Sequence, residues 1–227
     1  MEPSRTAAAL YGGTFDPFHN GHLRMALEVK EALGLPRVVL FPSHRPPHKP
    51  RQPLTEDRHR LAMVAAAVAG LQGMEVSDVE IRRGGASYSL LTVMEFRRDE
   101  PSTEFLFVIG ADAFAEIPTW YRYEELLRAC DFVLLPRPGA GDEPVSPAGV
   151  RIEKEEPHCY SWEGKSYRIA GGRRLFCPSL PVLEISSSSI REKVRTGKRI
   201  RGLVPPEVER YIFDHGLYLE TEEGRRQ

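Results

Sequence analysis

Apolar residues in this chain fall into short, nearly unbroken runs separated by stretches with helical spacing. Ala7–Tyr11, Val38–Phe41 after Arg37, Phe105–Ile109 and Phe132–Leu135 are the runs of strand length. Continuous runs fit parallel strands buried on both faces better than half-exposed strands, whose residues alternate. Between them, Gly21–Leu33 closed by Gly34, a segment from Thr55 to about Gly70, and Tyr123–Ala129 read as helices. Thr55 is the expected N-cap of the second, with Glu56 and Asp57 where the helix dipole favours acids. Leu90–Phe96 predicts a short helix with a serine N-cap from Ser87-Tyr88-Ser89, and Met74–Ile81 a third, weakly alternating strand. Strands separated by helices imply βαβ units, hence an α/β protein with a doubly wound parallel sheet.

The region from Gly139 to about Pro181 breaks this rhythm. It carries Gly139-Ala140-Gly141, prolines at 144, 147 and 157, and a polar, hairpin-like piece from Tyr160 to Phe176. The expectation is one domain over 1–227 with a small inserted region of short antiparallel strands at 140–181, to which no chemistry is assigned. Order resumes at Val182–Ile185 and Ser186–Arg191, with a helix from about Ser189 to Thr196 ended by Gly197. Pro205 and Pro206 open a last helix, Glu207–His215, closed by Gly216.

In doubly wound sheets the ligand crevice lies beyond the carboxyl ends of the strands. Gly12–His22, Ser43–Lys49 and Gly110–Trp120 all begin at such ends, so three loops converge on one crevice. The first reads Gly12-Gly13-Thr14-Phe15-Asp16-Pro17-Phe18-His19-Asn20-Gly21-His22, a strand running through a glycine turn into a helix. Backbone N–H groups and the positive end of the helix dipole there suit a phosphate. His19 and His22, three residues apart at a helix entrance, share a face. The string is neither a Walker A loop nor a dinucleotide G-x-G-x-x-G, so imidazoles and backbone amides must meet the phosphate charge. Ser186–Arg191 is either a serine-rich N-cap or, with Arg191, a second anion site. Trp120, in Pro118-Thr119-Trp120-Tyr121, either fills core or stacks on a flat ring. Pro46-Pro47-His48-Lys49 is either a solvated basic loop or a phosphate contact through Lys49.

Composition bounds the class without naming a reaction. The 227 residues, 41% hydrophobic and 28% charged, suit a globular α/β protein. A formal net charge of −1 gives no basic field for nucleic acid. No apolar run approaches the ~18 residues of a spanning helix, and the N-terminus lacks a basic-then-apolar signal pattern. Cys130, Cys159 and Cys177 form no C-x-x-C pair, which suggests reduced thiols, no metal site and a cytoplasmic setting.

The first loop resembles the H-x-G-H signature of the nucleotidylyltransferases. With Pro-Pro-His-Lys, Ser-Tyr-Ser, Ile-Gly-Ala-Asp, Pro-Thr-Trp-Tyr, Arg137-Pro-Gly and the serine-rich element, the chain resembles bacterial nicotinate-nucleotide adenylyltransferases everywhere except 140–181. That resemblance implies a Rossmann-like nucleotidylyltransferase fold with C-terminal helices. It implies adenylyl transfer from ATP to nicotinate mononucleotide, giving deamido-NAD and pyrophosphate, with Mg2+ bound to ATP through water. His19, His22 and Arg191 would be catalytic. Gly12, Gly13, Thr14, Phe15, Gly21, Gly110, Asp112, Ile185, Ser186, Ser188 and Ser189 would join them in holding ATP. Thr14, His48, Lys49, Ser89, Trp120, Tyr121 and Arg137 would hold the mononucleotide. Ser89 stands where the family usually has threonine, and His44 and Arg45 where asparagine is common, so the acid-versus-amide preference stays open. Also open are which serine meets which phosphate, another acceptor (nicotinamide mononucleotide or phosphopantetheine), a non-catalytic nucleotide sensor, a Rossmann oxidoreductase, and a homo-oligomeric state.

Overall fold

The computed structural model describes residues 6–47, 54–136, 144–155, 164–181 and 183–219. Among these, the strands are β1 (Thr6–Gly13), β2 (Arg37–Pro42), β3 (Met74–Val76), β4 (Thr103–Gly110), β5 (Asp131–Leu135), β6 (Ile152–Glu155), β7 (Gly164–Ile169) and β8 (Arg174–Pro178). The helices are α1 (Asn20–Ala32), α2 (Asp57–Val68), α3 (Val79–Arg83), α4 (Ser89–Asp99), α5 (Ala111–Ala115), α6 (Tyr123–Ala129), α7 (Ser187–Arg195) and α8 (Pro206–Asp214). A single sheet runs in the order β3-β2-β1-β4-β5-β8-β7-β6. Its first six strands pair in parallel, while β7 adds antiparallel to β8 and β6 antiparallel to β7.

The continuous apolar runs are explained by cover on both faces. Alternate residues of one strand go to different cores. Ala9 and Tyr11, Val38 and Leu40, and Leu106 and Val108 pack with α1, α2, α7 and α8. Ala8 and Leu10, Val39 and Phe41, and Phe105, Phe107 and Ile109 pack with α4 and α6. Ile190 and Val194 of α7 are 0% and 2% exposed. At about 1.5–3 kcal/mol for each fully buried aliphatic side chain, this core seats α7 before any ligand arrives.

Three expectations are corrected. The strand foreseen over Met74–Ile81 stops at Val76, and Val79–Arg83 is helical. The Ser77 N–H still donates to the Leu40 carbonyl at 2.9 Å. The next rung of the parallel ladder would draw on the N–H of Pro42, and proline has none. Helix α2 is capped by Glu56 rather than Thr55, because Thr55 gives its N–H to Asp16 and its carbonyl to Arg60. Helix α4 has Tyr88, not a serine, at its N-cap. Ser87 instead exchanges two bonds with the Arg45 backbone, Ser87 Oγ accepting at 3.0 Å and Ser87 N–H donating at 2.9 Å.

The region expected as an insertion contributes β6, β7 and β8, so its described strands extend the sheet from β5. Residues 183–186 are irregular and lead directly into α7. No helix among the described residues is long and apolar enough to cross a membrane.

Candidate active site

Two cavities open at the carboxyl ends of β1, β4 and β5. The first, about 610 Å3, is lined by Thr14, Phe15, Asp16, His19, Gly21, His22, Ile185, Ser186, Ser187, Ser188 and Arg191, among others. The second, about 620 Å3, is lined by Gly12, Gly13, Thr14, Ser89, Trp120 and Tyr121, with Phe41, Pro46 and Tyr88. Tyr11, Thr14, Gly110, Asp112 and Leu135 belong to both linings, so the chambers share a wall. A further recess of about 870 Å3 is lined, among the described residues, by His44, Arg45 and Arg58 with Pro46, Pro47 and Leu54.

His19 and His22 form a reciprocal cap on α1. The His22 N–H donates to Nδ1 of His19 and the His19 N–H to Nδ1 of His22, both at 3.3 Å. The rings stack with centroids 3.6 Å apart and 18° between planes. A ring whose Nδ1 accepts a backbone N–H carries its proton on Nε2 when neutral. Each imidazole is therefore fixed as an Nε2–H donor. Burial pushes the His19 pKa down from 6.5 to about 4, the backbone hydrogen bond opposing it. His19 therefore enters the site as a neutral donor rather than a cation. Positive potential comes from the helices: neither α1 nor α7 has an acidic residue in its first turn, and both N-termini meet the first chamber.

A folded-state pKa depressed below the unfolded value means the unfolded chain binds the proton first as pH falls. His19 therefore contributes stability that is complete above about pH 6.5 and lost on descending towards pH 4. Across that window, unfolding free energy measured against pH should slope by up to one proton, and His19→Gln should flatten that part of the slope. An unchanged slope in the variant would contradict burial of a neutral His19.

Glycine at 21 has a steric reason: a Cβ there would lie 3.0 Å from the His19 ring. At Gly12 a Cβ would meet the Phe41 ring at 2.5 Å. Gly12 and Gly13 line the second chamber rather than the first. Ser186 caps α7 by accepting the Ser189 N–H at 3.2 Å, and Ser189 is not part of the lining, whereas Ser187 is. Ser187 Oγ donates to the Pro17 carbonyl at 2.9 Å, and Arg191 Nη1 to the Asp16 carbonyl at 2.6 Å. These bonds stitch the second anion element to the first. Trp120 meets Phe107 edge-on at 6.4 Å, and Tyr121 stacks on Tyr88 at 4.4 Å, which gives the second chamber an aromatic wall. His48, Lys49 and Arg137 lie outside the described residues.

Sequence reasoning missed the groups that hold the loops. Arg60 is 0% exposed. It donates to the carbonyls of Thr14 (2.8 Å), Ser43 (2.6 Å) and Thr55 (2.9 Å), and pairs with Asp57. Asp57 also takes His44 Nδ1. One guanidinium thus fixes the loop after β1, the loop after β2 and the entry to α2. Asp16, 2% exposed, accepts the Tyr218 hydroxyl at 2.7 Å and the Thr55 N–H at 3.2 Å. The one available signal was an arginine on the otherwise apolar face of α2, beside Met63, Val64 and Ala67.

Residues 10–193 match the cytidylyltransferase-like family. A protein of Pelobacter propionicus described as "probable nicotinate-nucleotide adenylyltransferase" is 41% identical over 212 residues, covering 93% of this chain and 97% of that one. One of Desulfatibacillum aliphaticivorans with the same description is 41% identical over 218 residues, covering 92% and 98%. Among solved structures, Plasmodium falciparum nicotinic acid mononucleotide adenylyltransferase complexed with NaAD superposes with a TM-score of 0.70 at 17% identity, covering 94% of this chain and 97% of that one. At that identity the likeness speaks for the fold.

Proposed function

Since this chain belongs to the nicotinate-nucleotide adenylyltransferases of the cytidylyltransferase-like family, we propose that its first chamber holds ATP and its second the mononucleotide. The enzyme transfers the adenylyl group of ATP to nicotinate mononucleotide, giving deamido-NAD and pyrophosphate, a step of NAD biosynthesis. The observation that supports the residue roles is the wall shared by the two chambers at Tyr11, Thr14, Gly110, Asp112 and Leu135. Two substrates there meet where their phosphates must react.

The mononucleotide 5′-phosphate oxygen attacks the α-phosphorus in line. The new P–O bond forms as the bond to the β-phosphate oxygen breaks, and pyrophosphate leaves with that electron pair. The attacking oxygen is already anionic, so no protein base or nucleophile is needed. Catalysis is positioning plus stabilisation of charge on the five-coordinate phosphorus. His19 and His22 donate Nε2–H to phosphate oxygens, the α7 N-terminus with Ser186 and Ser188 receives the outer phosphates, and Arg191 adds the fixed positive charge. Thr14 and Lys49 hold the mononucleotide phosphate, Trp120 stacks on the pyridine ring, and Ser89 meets the nicotinate carboxylate. No group of three or more His, Cys, Asp or Glu that could hold a metal occurs among the described residues. Mg2+ would be held together with ATP in the first chamber, where it would withdraw charge from the phosphate oxygens.

Pyrophosphate release measured with ATP, Mg2+ and nicotinate mononucleotide, nicotinamide mononucleotide or phosphopantetheine tests the assignment. Turnover fastest with the nicotinate compound is expected, and preference for either other acceptor would overturn it. Trp120→Ala should raise KM for the mononucleotide about 3- to 10-fold and leave KM for ATP unchanged. An unaltered mononucleotide KM would remove the stacking role given to Trp120.

A further inference from the structure

We propose that Tyr218 is a positioning residue for adenylyl transfer, acting through Asp16 on the turn that carries His19 and receives Arg191. The inference rests on the reaction assigned above. Tyr218 lines neither chamber, yet its hydroxyl donates to Asp16 Oδ1 at 2.7 Å from 202 residues along the chain. The second carboxylate oxygen takes the Thr55 N–H at 3.2 Å, and the Asp16 carbonyl takes Arg191 Nη1 at 2.6 Å. Asp16 is therefore gripped on three sides: by the C-terminal segment, by the entry to α2 and by α7. Arg191 is aimed by the position of that carbonyl.

The backbone supports a built contact. Among the described residues, Phe15 and Tyr218, with φ of 49° and 64°, are two of three non-glycine residues at positive φ, and both flank the Asp16 contact. Bulky side chains adopt that conformation where the surroundings over-determine it, which is common at functional sites. The segment is held upstream as well, the Leu217 N–H bonding the Ile212 carbonyl at 2.9 Å at the end of α8. Burial and the neighbouring Asp16 carboxylate raise the Tyr218 pKa, so the hydroxyl remains a donor across the working pH range.

Tyr218→Phe removes one oxygen and keeps the ring. In the full chain, with ATP, Mg2+ and nicotinate mononucleotide, kcat should fall about tenfold, the scale of one hydrogen bond to a charged group. Both KM values should stay within about twofold, while loss of the buried bond lowers the melting temperature by about 3–12 °C with the chain still folded at assay temperature. Asp16→Asn should also lower kcat, and the double variant should be no slower than the slower single one, because both changes break the same link. A wild-type kcat for Tyr218→Phe overturns the inference. So does a loss matched by raised KM for both substrates, or multiplicative losses in the double variant. Absence of pyrophosphate from the wild-type protein with every acceptor would instead overturn the assigned reaction, and this inference with it.

Discussion

Replacing His22 by alanine is expected to lower kcat by about 100-fold or more while the chain still folds. The size follows from removing one preorganised donor at a centre where negative charge develops. His22 caps α1 through Nδ1, which accepts the His19 N–H, and the role proposed for it uses the other ring nitrogen, Nε2–H, on the phosphate. Losing the cap costs about 1 kcal/mol of stability, which is far too little to unfold a core of this extent. Kinetics and thermal melting on the same preparation distinguish the two effects. Turnover close to wild type in His22→Ala would remove the charge-stabilising role, and a collapsed melting transition would show that the cap dominates. His22→Gln, whose amide reaches about as far as Nε2, should recover part of kcat.

Replacing Arg60 by alanine is expected to have the largest effect on stability. It strands the carbonyls of Thr14, Ser43 and Thr55 and the Asp57 carboxylate, all bonded to a guanidinium with no exposure. Breaking a buried pair by deleting one partner costs about 3–5 kcal/mol, or a fall in melting temperature of ~6–20 °C for a chain of this size. Arg60→Lys keeps the charge but presents it at one point, without the planar fork that reaches three carbonyls, and should restore only part of the loss. A melting temperature within 2–3 °C of wild type for Arg60→Ala, a shift of about 1 kcal/mol, would show that the clamp contributes little.

Much of the site was legible because it is local. The glycine turn, the two histidines three apart and the serine-rich start of α7 each lie within a few residues. The physical chemistry of a helix N-terminus fixes what such strings can bind. The Met74–Ile81 expectation failed for an equally physical but non-local reason. Whether a strand continues depends on the donor its neighbour offers, and here that neighbour is Pro42. Thr55 and Ser87 had the right chemistry for caps but were drawn into tertiary bonds with Arg60, Asp16 and Arg45.

The sequence by itself determined the alternation of buried strands and helices, the crevice at their carboxyl ends, and the two helix entrances that the proposed function uses, since periodicity and helix ends are properties of neighbouring residues. Tertiary structure alone decided that His19 is a neutral donor, because its burial comes from the assembled crevice. It alone divided the crevice into two chambers sharing Thr14, with Gly12 and Gly13 lining the second. It also gave Arg60 and Tyr218 their places, through bonds to Thr14 and Asp16 that span 46 and 202 residues. No local pattern encodes such partners; they exist only once the cores on both faces of the sheet have brought distant segments together.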